Sequence, residues 1–239
     1  YIGAHRGASA YRPENTLASF KKAYELQADF IELDVQLTKD KEVVVFHDFL
    51  LDDKTDGKGY LRDCTLSELQ ELDAGAWFSE EFAGEHIPTL EEVLDWAKEK
   101  IWLSIELKQI EHFHEPLAQK VVQLIEHYKM EDQVQIMSFN HRALSEVRGV
   151  NKNIITNVIS GCQIADPVSY LNNLEAQVYN VPWQFLSKPI IERLHLSGLY
   201  VCGSVNDNLS VWEQYQEWEI DVMDTNIPDV MIKKRCRIG

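Results

Sequence analysis

Short apolar runs alternate along the chain with longer stretches in which apolar residues recur at helical spacing, and this rhythm predicts strands followed by helices. Residues 2–5 read as a first buried strand. Pro13-Glu14-Asn15-Thr16 opens a helix to about residue 27, with Leu17, Phe20, Tyr24 and Leu26 near helical spacing. Residues 30–37 and 43–46 are strand-like and flank a polar turn at 38–42, the pattern of a hairpin. Residues 51–88 interrupt the rhythm: Asp52-Asp53-Lys54, Gly57 and Gly59 make loops, Thr65-Leu66-Ser67-Glu68 signals a helix cap, and Trp77, Phe78 and Phe82 supply local apolar anchors. The rhythm resumes with a helix from Thr89, a strand over 101–107 and a helix over 116–128. Further strands are expected over 134–139, 154–159, 176–181, 199–205 and 220–224.

If residues 43–46 extend the second strand, these segments make eight βα-type units, which favours an α/β fold of the closed (β/α)8 TIM type. The expected organisation is one catalytic barrel domain over residues 1–239 with a small insertion at about 51–88. A doubly wound open sheet is the rival, but such sheets normally carry a glycine-rich phosphate turn, and neither G-x-G-x-x-G nor a P-loop string is present.

Composition narrows the partners. With 39 acidic against 23 basic residues, the formal net charge is −16, a surface that repels nucleic acid and anionic membranes. Neither nucleic acid nor a stable membrane association is expected. No apolar stretch reaches membrane-spanning length and no charged leader head is seen, so a cytoplasmic location is the expectation, with a secreted form whose leader has been removed left open. Cys64, Cys162, Cys202 and Cys236 form no C-x-x-C pair and are expected to be buried free thiols.

The candidate chemistry lies at the ends of apolar runs. In a strand, residues i and i+2 share a face, so Glu32 and Asp34 point one way, as do Glu106 and Lys108. Barrel strands place such residues at one end, where active sites form. Burying charge within runs of Phe, Ile, Leu and Val is costly unless it is paired or bound to a metal. Glu32, Asp34 and Glu106 are an oxygen-only set suited to one hard divalent cation, Mg²⁺ or Ca²⁺. Arg6 and Lys108 suit the anionic oxygens of a phosphodiester. His5 and His47 titrate near neutrality and suit the roles of proton acceptor and donor. The bland alternative for each cluster is a structural ion pair, and three clusters at equivalent strand ends weaken it.

Other residues carry less. His112 and His114 alternate in a loop and read as solvated rather than as ligands; His86, His127, His141 and His195 have no neighbouring constellation and read as surface or capping residues. Trp183 follows a strand and suits either a pocket wall or the core. No G-x-S-x-G elbow is present, which disfavours a serine hydrolase.

His5-Arg6-Gly7, Pro13-Glu14-Asn15-Thr16, Glu32-Leu33-Asp34-Val35, Phe46-His47-Asp48, Ile87-Pro88-Thr89-Leu90 and Ile105-Glu106-Leu107-Lys108 occur in this order. Each string alone is weak; as an ordered set, with fainter matches to the C-terminus, they resemble the glycerophosphodiester phosphodiesterase family. The resemblance implies a TIM-type barrel and metal-dependent hydrolysis of glycerophosphodiesters to sn-glycerol 3-phosphate and an alcohol. It also implies His5 and His47 as the acid/base pair, Glu32, Asp34 and Glu106 around the ion, and Arg6 and Lys108 on phosphate. Two strings depart from the family. Gly203-Ser204-Val205-Asn206 stands where members commonly have Trp-Thr-Val-Asn, so a glycerol-facing aromatic wall is expected to be missing. Thr225-Asn226-Ile227-Pro228 replaces Thr-Asp-x-Pro and removes a supporting carboxylate. The alternatives are a phospholipase C- or D-like barrel acting on intact lipid, disfavoured by the acidic surface, and a non-catalytic phosphodiester-binding module.

Overall fold

The structure, a computed structural model, describes residues 1–109 and 116–235. In chain order the elements are β1 (Ile2–Ala4), α1 (Leu17–Glu25), β2 (Phe30–Leu37), β3 (Val43–Val45), α2 (Leu66–Gln70), α3 (Leu90–Ala97), β4 (Trp102–Leu107), α4 (Leu117–Tyr128), β5 (Val134–Ser138), α5 (His141–Val150), β6 (Ile155–Ile159), α6 (Pro167–Leu174), β7 (Val178–Asn180), α7 (Lys188–Leu196), β8 (Tyr200–Val205), α8 (Leu209–Glu217), β9 (Val222–Thr225) and α9 (Pro228–Arg235). Three helices start where threonines announce them. Thr16, Thr65 and Thr89 each close a capping box with the residue three further on, and such caps typically contribute about 1 kcal/mol.

Eight parallel strands close on themselves: β1 pairs with β2 on one side and with β9 on the other, and β2, β4, β5, β6, β7, β8 and β9 follow as successive neighbours. The fold is a (β/α)8 TIM barrel. β3 stands outside the ring, antiparallel to β2, with Val35 opposite Val45 and Leu37 opposite Val43, so the hairpin extends β2 beyond the barrel. This corrects one detail of the sequence reading. Glu32 and Asp34 are not at the end of their strand, because β2 runs on past Asp34 to pair with β3, yet they stand at the level where β1 ends, since Ala4 is in register with Ile31.

Alternation along the strands sorts the side chains. Ile31, Leu33 and Val35 of β2 and Leu103, Ile105 and Leu107 of β4 join Phe20, Leu94, Val121 and Ile125 in the main apolar core between barrel and helices. Glu32, Asp34, Ser104 and Glu106 occupy the opposite, polar face, all buried. Residues between β3 and α3 form a second cluster in which Phe46, Leu51, Leu61, Leu69, Ala74 and Ile87 pack against Val44. The two ends of this segment are joined where Val45 N–H donates to Pro88 O at 2.8 Å.

Among the described cysteines only Cys202 is buried: Cys162 is exposed in the loop after β6 and Cys64 is half-buried, because both lie outside the strands that make the core. Cys236 lies outside the described residues, as do His112 and His114. Among the described residues no helix is long and apolar enough to cross a membrane.

Candidate active site

The C-terminal ends of β1 and β4, the middle of β2 and the loop after β3 bring together all seven residues singled out from the sequence. β1 ends in a sharp turn: Arg6 and Gly7 both adopt positive φ (55° and 82°), and a Cβ on Gly7 would lie 2.3 Å from Ser19 Oγ. This turn aims the Arg6 backbone N–H at Glu32 Oε2, 2.9 Å away, and sets His5 Nε2 4.0 Å from the same oxygen. In β2 and β4, Asp34 and Glu106 are in register. Oxygen atoms of Glu32, Asp34 and Glu106 lie within 4.8 Å of one another.

Cations tie part of this acidic centre together. Lys108 Nζ is 2.7 Å from Glu106 Oε1 and 3.1 Å from Asp34 Oδ1. Arg6 Nη1 donates to Glu14 Oε1 at 2.8 Å, and its Nε is 3.3 Å from Asp34 Oδ2 without hydrogen-bond geometry, so this buried N–H has no protein acceptor. Asn15 completes the shell of Asp34 with Nδ2 to Oδ2 at 2.8 Å, and its own Oδ1 accepts from Asp34 N–H at 3.2 Å.

The carboxyls respond differently to this setting. Burial pushes Glu32 well above the usual carboxylate range, reinforced by the charges of Asp34, Asp224 and Glu106. Burial, with Asp34 beside it, likewise raises Glu106 to about 7 against the pull of Lys108. For Asp34 burial acts upward too, but Lys108 and Arg6 outweigh it and hold the group below its ordinary value. Asp224, buried on β9, is raised by burial to about 7, and its Oδ1 has no hydrogen-bond partner. The site thus holds more buried carboxylate than its two cations compensate. A divalent cation on Glu32, Asp34 and Glu106 fits both the donor chemistry and the charge deficit.

The two histidines are held by different partners. His5 Nδ1 is 2.8 Å from Asn226 Oδ1. Asp207 fixes that amide: its Oδ2 accepts from Asn226 Nδ2 at 2.7 Å and its Oδ1 from Asn226 N–H at 2.8 Å. Because a carboxylate only accepts, the amide NH₂ must face Asp207, its oxygen must face His5, and the His5 proton must sit on Nδ1. Nε2 therefore carries the lone pair of the neutral ring. Burial lowers the His5 pKa, with Arg6 acting in the same direction, and the hydrogen bond to Asn226 only partly offsets them. His47 Nδ1 is 2.6 Å from Asp48 Oδ1, which again leaves Nε2 free to exchange a proton. Gln36 anchors this loop, its Nε2 donating to the carbonyls of Phe46, His47 and Asp48 at 2.8 to 3.2 Å.

Both departures in the late strings acquire a structural meaning. A Cβ on Gly203 would lie 2.4 Å from the ring of Tyr215 on α8, whose hydroxyl donates to Gly203 O at 2.5 Å. The position faces a helix, so the expected loss of a glycerol-facing wall does not follow. Asn226 keeps contact with His5, and the lost carboxylate reappears one step further out as Asp207, from the loop between β8 and α8. Nothing in chain order announces the contacts that Asp207 and Asn226 make at the barrel mouth, nor that Gln36 reaches across its hairpin to the carbonyls beside His47.

The remaining candidates have their contacts outside this constellation. Trp183 packs with Ile2, Trp212 and Met223. His141 lies 2.7 Å from Tyr170 Oη and from Ile159 O, His195 2.9 Å from Asp221, and His86 3.3 Å from Glu92. His127 lies in the last turn of α4, its ring edge-on to Tyr128.

A closed parallel barrel with buried carboxylates, two cations and two histidines gathered at its mouth is the arrangement of a class, the TIM-barrel hydrolases of phosphoric diesters. Residues 5–230 match the glycerophosphoryl diester phosphodiesterase family. The chain is 38% identical over 231 residues to a glycerophosphodiester phosphodiesterase of Caldanaerobacter subterraneus, covering 96% of this chain and 95% of that one. It is 34% identical over 238 residues to one of Bacillus altitudinis, covering 98% and 97%. A phosphodiesterase of Oleispira antarctica, solved with its product sn-glycerol-3-phosphate, superposes with a TM-score of 0.93 at 27% identity, over 97% of this chain and 95% of that one. The chain belongs to the glycerophosphoryl diester phosphodiesterase family.

Proposed function

We propose that this protein hydrolyses glycerophosphodiesters to sn-glycerol 3-phosphate and an alcohol, with one divalent cation, Mg²⁺ or Ca²⁺, held by Glu32, Asp34 and Glu106. The observation that carries the reading is the undercompensated, buried set of three carboxylates beside two cations and two oriented histidines. The Oleispira relative's complex with sn-glycerol-3-phosphate supports this product.

When bound, the ion supplies Lewis-acid neutralisation of charge at the phosphoryl group. Arg6 offers its unpartnered Nε–H and Lys108 its ammonium to the anionic oxygens, orienting phosphorus between the histidines. His5, half-buried and backed by a neutral amide, is neutral with its lone pair on Nε2, and takes the proton from the attacking hydroxyl. His47, backed by a carboxylate on a more open face, gives the proton from Nε2 to the departing alkoxide oxygen. Transfer of one proton in and one out returns the pair to its starting state once solvent re-equilibrates the rings.

The test is release of sn-glycerol 3-phosphate from a panel of glycerophosphodiesters by purified protein, with Mg²⁺, with Ca²⁺ and with chelator. Activity that needs the ion and falls in His47→Ala is expected. An analogue lacking the hydroxyl next to the diester separates attack by water from attack by that hydroxyl, since only the latter requires it.

A further inference from the structure

The segment after β3 contributes a cation that the chemistry above leaves unused. Lys54 Nζ lies 3.7 Å from the centre of the Trp77 ring and 3.5 Å from Glu14 Oε2. The other Glu14 oxygen binds Arg6. Lys54 and Trp77 line one cleft with His47, Asp48, Glu14 and Asn15. Both oxygens of Glu14 are engaged, one by Arg6 and one by Lys54, and Oδ1 of Asp48 is engaged by His47.

The position of these residues fixes what meets them. In the reaction proposed above, on which this inference rests, His47 protonates the departing alkoxide, so the alcohol half of the diester lies against the cleft that His47 lines. The aromatic face there is one on which a quaternary ammonium would stack, but the chain's own ammonium already covers it. A cationic alcohol meets like charge and gains no ring. An uncharged polyol or an anionic group instead meets a donor cation whose side chain is 26% exposed. We propose that Lys54, seated on Trp77, is a specificity-determining residue that selects diesters whose alcohol accepts hydrogen bonds from an ammonium and rejects those carrying a quaternary ammonium.

The test compares kcat/KM of the full chain with Mg²⁺ for glycerophosphoglycerol and glycerophosphocholine. Wild type should favour glycerophosphoglycerol by about tenfold, the scale of one cation–π contact. Lys54→Met, which keeps the apolar stem and removes the charge, should raise kcat/KM for glycerophosphocholine and shift the ratio by about tenfold towards it. Adding Trp77→Leu to that variant should abolish the gain. The inference is overturned if wild type cleaves glycerophosphocholine as well as or better than glycerophosphoglycerol, or if Lys54→Met changes both substrates by the same factor. Failure to cleave any glycerophosphodiester with either ion removes the proposed reaction and this selectivity together; cleavage without the preference removes the selectivity alone.

Discussion

The acidic centre makes stability depend on pH in a direction opposite to that of most surface carboxylates, and a bound ion should reverse it. Glu106 moves from an ordinary 4.5 to about 7 in the fold. Between those values the folded chain keeps a proton that the unfolded chain has lost, so stability falls as pH rises from about 4.5 through about 7. At about 1.4 kcal/mol per pKa unit, that displacement amounts to about 3 kcal/mol for Glu106 alone, and Glu32 and Asp224 act in the same direction. For a chain of this length the loss corresponds to roughly 6 to 12 °C in Tm. Thermal unfolding in chelator at pH 5 and pH 7.5 should show the decline. Adding millimolar Mg²⁺ or Ca²⁺ should restore stability, by an amount that grows with pH because the ion needs deprotonated ligands. Glu106→Gln should flatten the pH slope and shrink the response to the ion. An ion response that is absent at pH 7.5, or larger at pH 5 than at pH 7.5, would refute the assignment of these carboxylates to a metal.

Three further outcomes follow from the geometry. Because Asn226 is a neutral partner for His5 Nδ1, Asn226→Asp made together with Asp207→Asn, so that the new carboxylate meets an amide, should raise the His5 pKa and move the acid limb of the pH–rate profile to higher pH; an unmoved limb would remove His5 as the base. His47→Ala should lower kcat by about 10² to 10⁴-fold with little change in Tm, as measured by steady-state kinetics and thermal unfolding. Gly203→Ala should cost about 1 to 3 kcal/mol in denaturant unfolding, because the added Cβ meets the Tyr215 ring; unchanged stability would show that α8 yields at that point.

Much of this was legible from residue order because barrel strands encode their own geometry. The i, i+2 spacing of Glu32 and Asp34, and of Glu106 and Lys108, sufficed to put four charged groups on one face, and parallel register then stacked Asp34 beside Glu106. Threonine caps marked the starts of α1, α2 and α3. What stayed hidden depends on closure. Asp207 reaches Asn226 because β8 and β9 are neighbours, and Asn226 reaches His5 only because β9 pairs with β1 across more than two hundred residues of sequence. The direction of Gly203 was illegible for a related reason: pairing between β8 and β9 is irregular between Cys202 and Val205, and Ser204 adopts a positive φ of 57°, so simple alternation does not carry through that stretch.

In the proposed reaction, Glu32, Asp34 and Glu106 hold the ion on which phosphodiester cleavage depends. The decisive measurement is sn-glycerol 3-phosphate release from glycerophosphoglycerol by wild type and Glu32→Gln, each dialysed against chelator and then titrated with Mg²⁺ or Ca²⁺. Wild type should be inactive until the ion is restored, and Glu32→Gln should need far more ion or stay inactive; equal turnover in chelator and in ion, or a variant with the wild-type ion requirement, would contradict the account.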